Sequence, residues 1–285
     1  MPNTARPVWF VLAAILSVQV GAALSKSLFD EVSPTVMVWL RLATSTVVLL
    51  LVARPRLTGR SRGDWAVVLA FGAALATMNW SIYQAIARLP LGVAVSIELL
   101  GPLTLALVLS RRVRDLLWVM LAAVGVALLG FDDGGLTVAG VGFALMAAAS
   151  WAAYILLSAG TGRRWTGLSG LALASVVGAV SLAPFALVSG GGRLLEPVVL
   201  AIGLLVGLLS SVVPYSLELS ALRTMPPKVF GILMSLEPAA AALAGLVLLG
   251  EVLGPLEWVA IGCVVVASVG VTRSATPQSA APAVT

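Results

Sequence analysis

The sequence predicts an all-α membrane protein with ten transmembrane helices in two inverted five-helix repeats, and three observations lead there. Hydrophobic residues make up 60% of the chain and charged residues only 10%, with a mean hydropathy of +1.08, which leaves too little polar surface for a water-soluble fold. Apolar runs of roughly 17 to 25 residues, the length that crosses a bilayer as a helix, recur along the chain. Thirteen of the 17 Lys and Arg fall on alternate connections between those runs, as expected when cytoplasmic loops hold the positive charge.

The first run, 8–28, is too long for the core of a signal peptide and lacks a cleavage site, so it reads as a retained span. The second, 34–53, ends at the polar stretch Arg54 to Asp64, which could bury no core of its own. The third, 65–87, and the fourth, 91–110, are joined by Arg88-Leu89-Pro90, a tight helical hairpin. The fifth, 115–131, follows Arg111, Arg112 and Arg114. The sixth, 138–158, contains Ala144 to Ala149, apolar on every side, where a transmembrane β-strand would alternate. The seventh, 167–188, leads through the flexible Gly190-Gly191-Gly192 loop to the eighth, 196–219. The ninth, 227–249, and the tenth, 255–272, complete the set.

With the N-terminus inside, the inner segments hold Arg6, then Arg54, Arg56, Arg60 and Arg62, then Arg111, Arg112 and Arg114, then Arg163 and Arg164, then Arg223 and Lys228, and last Arg273. The outer loops hold only Lys26, Arg88 and Arg193, together with Asp30, Glu31, Asp132, Asp133, Glu196, Glu251 and Glu257. A miscount by one helix would invert every later loop and destroy this asymmetry, so an even number of spans and cytoplasmic termini are expected. The sequence pI of 10.1 reflects this topology. The basic residues lie in short clusters rather than on one face, so no nucleic-acid partner is expected.

Internal echoes set the architecture. Leu89-Pro90 and Met225-Pro226 each open a span, and the same offset of 136 carries Pro102 onto Pro238 and Asn79 onto Tyr215. An offset of 133 carries Phe10 onto Phe143, Ser17 onto Ser150 and Ser25 onto Ser158. The expected units are 1–133 and 138–273, with 274–285 a disordered cytoplasmic tail. Because five is odd, the second unit enters the membrane with opposite polarity, the arrangement of inverted-repeat transporters.

Charges inside spans cost about 2.5–3.5 kcal/mol each on insertion scales and call for a compensating role. Four are present: Arg41, Glu98, Glu218 and Glu237. Arg41 is open to two readings, a structural ion pair or a site for a substrate carboxylate. Glu218 lies five residues before Arg223 and could simply snorkel or pair with it. Glu98 and Glu237 lie deeper, each just ahead of a proline. Proline frees the carbonyl four residues earlier, which is that of Glu98 for Pro102 and of Met234 for Pro238. A kinked helix with an open carbonyl beside an acid suits an ammonium group or a proton, against the alternative of a packing kink with a neutral glutamic acid. Asn79, Tyr215, Ser17, Trp151 and Tyr154 are further candidates for a cavity wall, each weighed against interhelical packing, and Gln19 adds another polar group at mid-depth.

No histidine is present and Cys263 is the sole cysteine, so proton transfer must rest on carboxylates and no Ser-His or Cys-His pair can form. No Gly-x-x-x-x-Gly-Lys loop occurs. Neither an enzyme nor a cofactor or metal site is expected.

Ser235-Leu-Glu237-Pro238, followed by Leu249-Gly250-Glu251 and a Gly-rich last helix, resembles the C-terminal pattern of the EamA-type branch of the drug/metabolite transporter superfamily. Leu89-Pro-Leu-Gly-Val-Ala94 with Glu98 and Gly101-Pro102, and Val213-Pro-Tyr-Ser-Leu-Glu218 before Phe230-Gly-Ile-Leu-Met-Ser235, are similar to the threonine/homoserine exporters of that branch. The resemblance implies a multi-pass protein of the bacterial inner membrane with a central pocket, exporting neutral amino acids such as threonine and homoserine by proton antiport and alternating access. Two other readings stand beside it, an efflux pump for cationic drugs and a non-transporting membrane scaffold.

Overall fold

The computed structural model of the chain describes residues 5–109, 113–128, 136–222 and 224–274. Arg111, Arg112, Asp132, Asp133, Arg223 and the tail beyond residue 274 lie outside the described residues. Described helices are α1 (Ala5–Lys26), α2 (Pro34–Ala53), α3 (Arg62–Ile86), α4 (Leu91–Glu98), α5 (Leu100–Leu109), α6 (Val113–Leu128), α7 (Val138–Gly162), α8 (Ser169–Gly190), α9 (Pro197–Gly207), α10 (Val213–Leu222), α11 (Pro227–Met234), α12 (Glu237–Leu249) and α13 (Pro255–Ser274). Joining the interrupted pairs α4/α5, α9/α10 and α11/α12 gives nine spans long and apolar enough to cross a bilayer among the described residues. The fifth expected span is present as α6, at 16 residues a shorter apolar helix.

The ends of these helices follow from local chemistry. Ser33 caps α2 by accepting the Val36 N–H, with Pro34 at the first helical position where its missing N–H costs nothing. Ser61 and Asp64 form a reciprocal capping box at the start of α3. Gly250 ends α12 at φ +69°, a left-handed turn that an L side chain resists. That turn brings the Glu251 carboxylate back to accept the Leu91 N–H at 2.8 Å and to pair with Lys26 at 2.5 Å. The Leu249-Gly250-Glu251 sequence thus ties the end of α12 to the start of α4 and the end of α1.

Interhelical packing obeys an exchange of halves. Helix α3 packs most extensively on α7, and α1 packs on α10, its counterpart when the two halves are swapped. In the same way α3 on α8 answers to α2 on α9, and α4 with α5 on α7 answers to α1 on α12 and α11. At the level of whole spans, α2 with α8, α4/α5 with α11/α12 and α6 with α13 map onto themselves. Such pairing is what two related halves, as the sequence offsets of 133 and 136 suggest, would give.

One end of the bundle is rich in arginine. There the Arg60 guanidinium lies 4.2 Å over the Trp165 ring and donates to the Arg164 carbonyl at 2.9 Å. Arg164 pairs with Asp64 at 3.2 Å, locking α3 to the α7–α8 connection. The opposite end carries Lys26 and Glu251.

Candidate functional site

Three helices are interrupted, each by a proline acting on the carbonyl four residues earlier. Helix α4 stops at Glu98, four before Pro102, and α11 stops at Met234, four before Pro238. The third interruption is a π-helical turn, Leu208–Val212, between α9 and α10. It precedes Pro214, whose missing N–H leaves the carbonyls of Leu209 and Ser210 without a helical donor. Both find one elsewhere: Ser17 of α1 donates to Leu209 at 2.7 Å, and Arg41 of α2 donates to Ser210 at 3.0 Å. Arg41 Nε also reaches Ser211 Oγ at 3.3 Å, and the guanidinium lies 5.7 Å from the Tyr83 ring centroid. The intramembrane arginine is therefore held by a carbonyl, a hydroxyl and a ring. Among the described residues it has no carboxylate within ion-pair distance, so the structural ion pair is not formed.

The interruptions surround one cavity of about 270 Å³ within the apolar spans. Seven of the candidate residues line it: Arg41, Asn79, Glu98, Trp151, Tyr154, Glu218 and Glu237. Two do not join them in the same way. Ser17 spends its hydroxyl on the Leu209 carbonyl and is not part of the lining. Tyr215 sits on α10, and its side chain is outside the described residues. Asn79 donates back to the Leu75 carbonyl at 2.9 Å, which fixes its amide on the wall. Trp80 is also outside the lining. Its indole N–H donates to Thr35 and its ring meets Phe143 edge-on.

The wall includes residues that sequence reasoning passed over. Tyr83 packs on Phe29 and its hydroxyl meets Ser25 at 3.3 Å. Ser210 and Pro214 come from the wide turn and its flank. Pro214 carried a usable signal, since the rule applied to Pro102 and Pro238 points from it to Ser210. Gln19, already singled out in the sequence as a polar group at mid-depth, is on the wall too and faces Glu237, with Nε2 donating to Oε1 at 3.4 Å.

At the Lys26 end the cavity is closed by Tyr83, Ile86 and Leu91, each at most 1% exposed. Toward the other end, Glu218 also lines a second, mostly apolar cavity of about 280 Å³ between α2, α8 and α10. Leu222, 42% exposed, stands at the wall of that second cavity. Among the described residues no group of three or more His, Cys, Asp or Glu side chains converges as metal ligands would. The site offers charge and hydrogen bonds for holding a solute.

Comparison with known proteins bears on the chain as a whole. A model of the EamA-like transporter family matches residues 138–273. Over 98% of its length the chain is 38% identical to the threonine/homoserine exporter RhtA of Escherichia coli strain K12, covering 97% of that protein. The chain belongs to the EamA-like transporter family. It is likewise 38% identical to the threonine/homoserine exporter RhtA of Salmonella typhimurium strain LT2, over 95% of each chain. An uncharacterized transporter of Bacillus subtilis, YwfM, is 29% identical over 62% of this chain. A crystal structure of a protein 19% identical in sequence superposes with a TM-score of 0.59, covering 92% of this chain and 95% of that one. That last likeness speaks to fold alone. This EamA-like protein is thus a membrane transporter of small metabolites.

Proposed function

We propose that this transporter exports neutral amino acids of the threonine and homoserine kind across the bacterial inner membrane, in exchange for protons and by alternating access. The observation that carries the reading is Arg41, an intramembrane guanidinium on the cavity wall with no carboxylate partner among the described residues, sharing that cavity with Glu98 and Glu237. A zwitterion presents a carboxylate to the first and an ammonium to the others, so each side of the cavity gains a direct, hydrogen-bonded counter-charge when solute is bound. The similarity to threonine/homoserine exporters along nearly the whole chain supports the same class of cargo. Positive charge clustered at one end of the bundle supports a cytoplasmic position for that end and for both termini. With this orientation, the closed Lys26 end faces outward and the cavity stands ready to load from inside.

The histidine-free cavity leaves Glu98, Glu218 and Glu237 as proton carriers. The experiment is counterflow of labelled threonine in proteoliposomes, with and without a pH gradient, for the natural sequence and for Glu98→Gln and Glu237→Gln. Wild type is expected to accumulate threonine in response to the gradient, and the variants to lose that response. Full proton-driven flux in both variants would remove the two carboxylates from the mechanism. Trp151 on the wall favours a second reading, a cation held by acid and ring. Arg41 opposes it, and displacement by cationic dyes but not by amino acids would decide for it.

A further inference from the structure

We infer that Gln19 and Ser210 complete a subsite for an α-amino carboxylate head group, Gln19 joining Glu237 on the ammonium and Ser210 joining Arg41 on the carboxylate. The inference rests on the amino-acid reading above and assigns the two ends of the solute to opposite sides of the cavity. Gln19 is 1% exposed and Ser210 3%. Gln19 Oε1 and Ser210 Oγ are both buried without a hydrogen-bond partner, and both residues line the central cavity. Buried polar atoms in folded proteins are nearly always paired, so two orphans on one cavity wall mark places where a bound solute supplies the partner.

The chemistry of each orphan fits its neighbour. Gln19 donates through Nε2 to the Glu237 carboxylate, which leaves Oε1, an acceptor only, beside an acid. An acceptor next to a carboxylate calls for a group with several N–H donors and a positive charge, which is an ammonium. Ser210 gives its carbonyl to Arg41 while its hydroxyl stays unspent. Arg41 uses Nε on Ser211 and one Nη on Ser210, and a guanidinium has five N–H donors. A carboxylate seated on the remaining N–H groups would find the Ser210 hydroxyl as a further donor. Room for that hydroxyl comes from Gly21 of α1, where a Cβ would collide with Ser210 Oγ.

The test measures competition against threonine counterflow by three probes: threonine itself, threoninol, which lacks the carboxylate, and 3-hydroxybutyrate, which lacks the ammonium. Gln19→Leu is expected to weaken threonine and threoninol by about tenfold or more and to leave 3-hydroxybutyrate unchanged. Ser210→Ala is expected to weaken threonine and 3-hydroxybutyrate and to leave threoninol unchanged. Should Gln19→Leu fail to fold, the Ser210→Ala pattern decides alone, since losing that hydroxyl leaves the Gln19–Glu237 hydrogen bond in place. Variants that weaken all three probes equally, or none, would overturn the subsite. Failure of wild type to bind threonine at all would instead overturn the amino-acid reading.

Discussion

Arg41 shows how a charge can be placed in lipid without an ion pair. Its cost in the span is offset by the Ser210 carbonyl that Pro214 leaves free, so arginine and proline depend on one another across two helices. Arg41→Ala should therefore orphan that carbonyl and destabilise the protein by about 1–3 kcal/mol, read as a lower melting temperature in detergent, and abolish threonine flux. Adding Pro214→Ala returns a backbone N–H to the turn, so the double variant should regain much of the melting temperature while flux stays lost. Recovery of flux as well would mean that Arg41 only serves structure. Arg41, Glu98 and Glu237 were legible in the sequence because an ionisable residue inside an apolar run has few reasons to be there. Ser210 was not, because a serine in a span is ordinary until the partner helix shows its hydroxyl unpaired.

At the level of elements, the breaks in the fourth and ninth spans were legible from Pro102 and Pro238, since proline acts on a carbonyl at a fixed distance along the chain. The wide turn at Leu208–Val212 was hidden, because its stability comes from donors on α1 and α2 that no local pattern reveals. Close crossings were equally hidden. Gly101 of α5 lies against the backbone of α7, where a Cβ would overlap the Ala148 carbonyl. Gly101→Ala is expected to push the two helices apart at a cost of about 1–3 kcal/mol, seen as a lower melting temperature. A melting temperature equal to that of wild type would show that the crossing yields freely.

For the molecule as a whole, the all-helical character and close to the number of spans were legible, since lipid thickness leaves few alternatives: nine long apolar spans and the shorter α6 stand among the described residues. Which helices touch was not, apart from the exchange of halves that the offsets imply. The closed end depends on Glu251, which holds Lys26 and the Leu91 N–H together. Glu251→Gln keeps an acceptor for Leu91 but loses the ion pair, a bias of ~1 kcal/mol or about fivefold in populations. In a background with Cys263→Ser, a cysteine at Ile86 should then label faster than without Glu251→Gln, and a cysteine at Leu222 more slowly. Unchanged labelling at both would show that the contact does not govern closure. The two positions are linked by the offset of 136, and Ile86 is 1% exposed while Leu222 is 42% exposed. Under the alternating access proposed above they are the same door hung twice on opposite walls, and a turnstile follows: whatever loosens one leaf would tighten the other, so a substitution at either threshold that speeds entry should also reset the rate of exit.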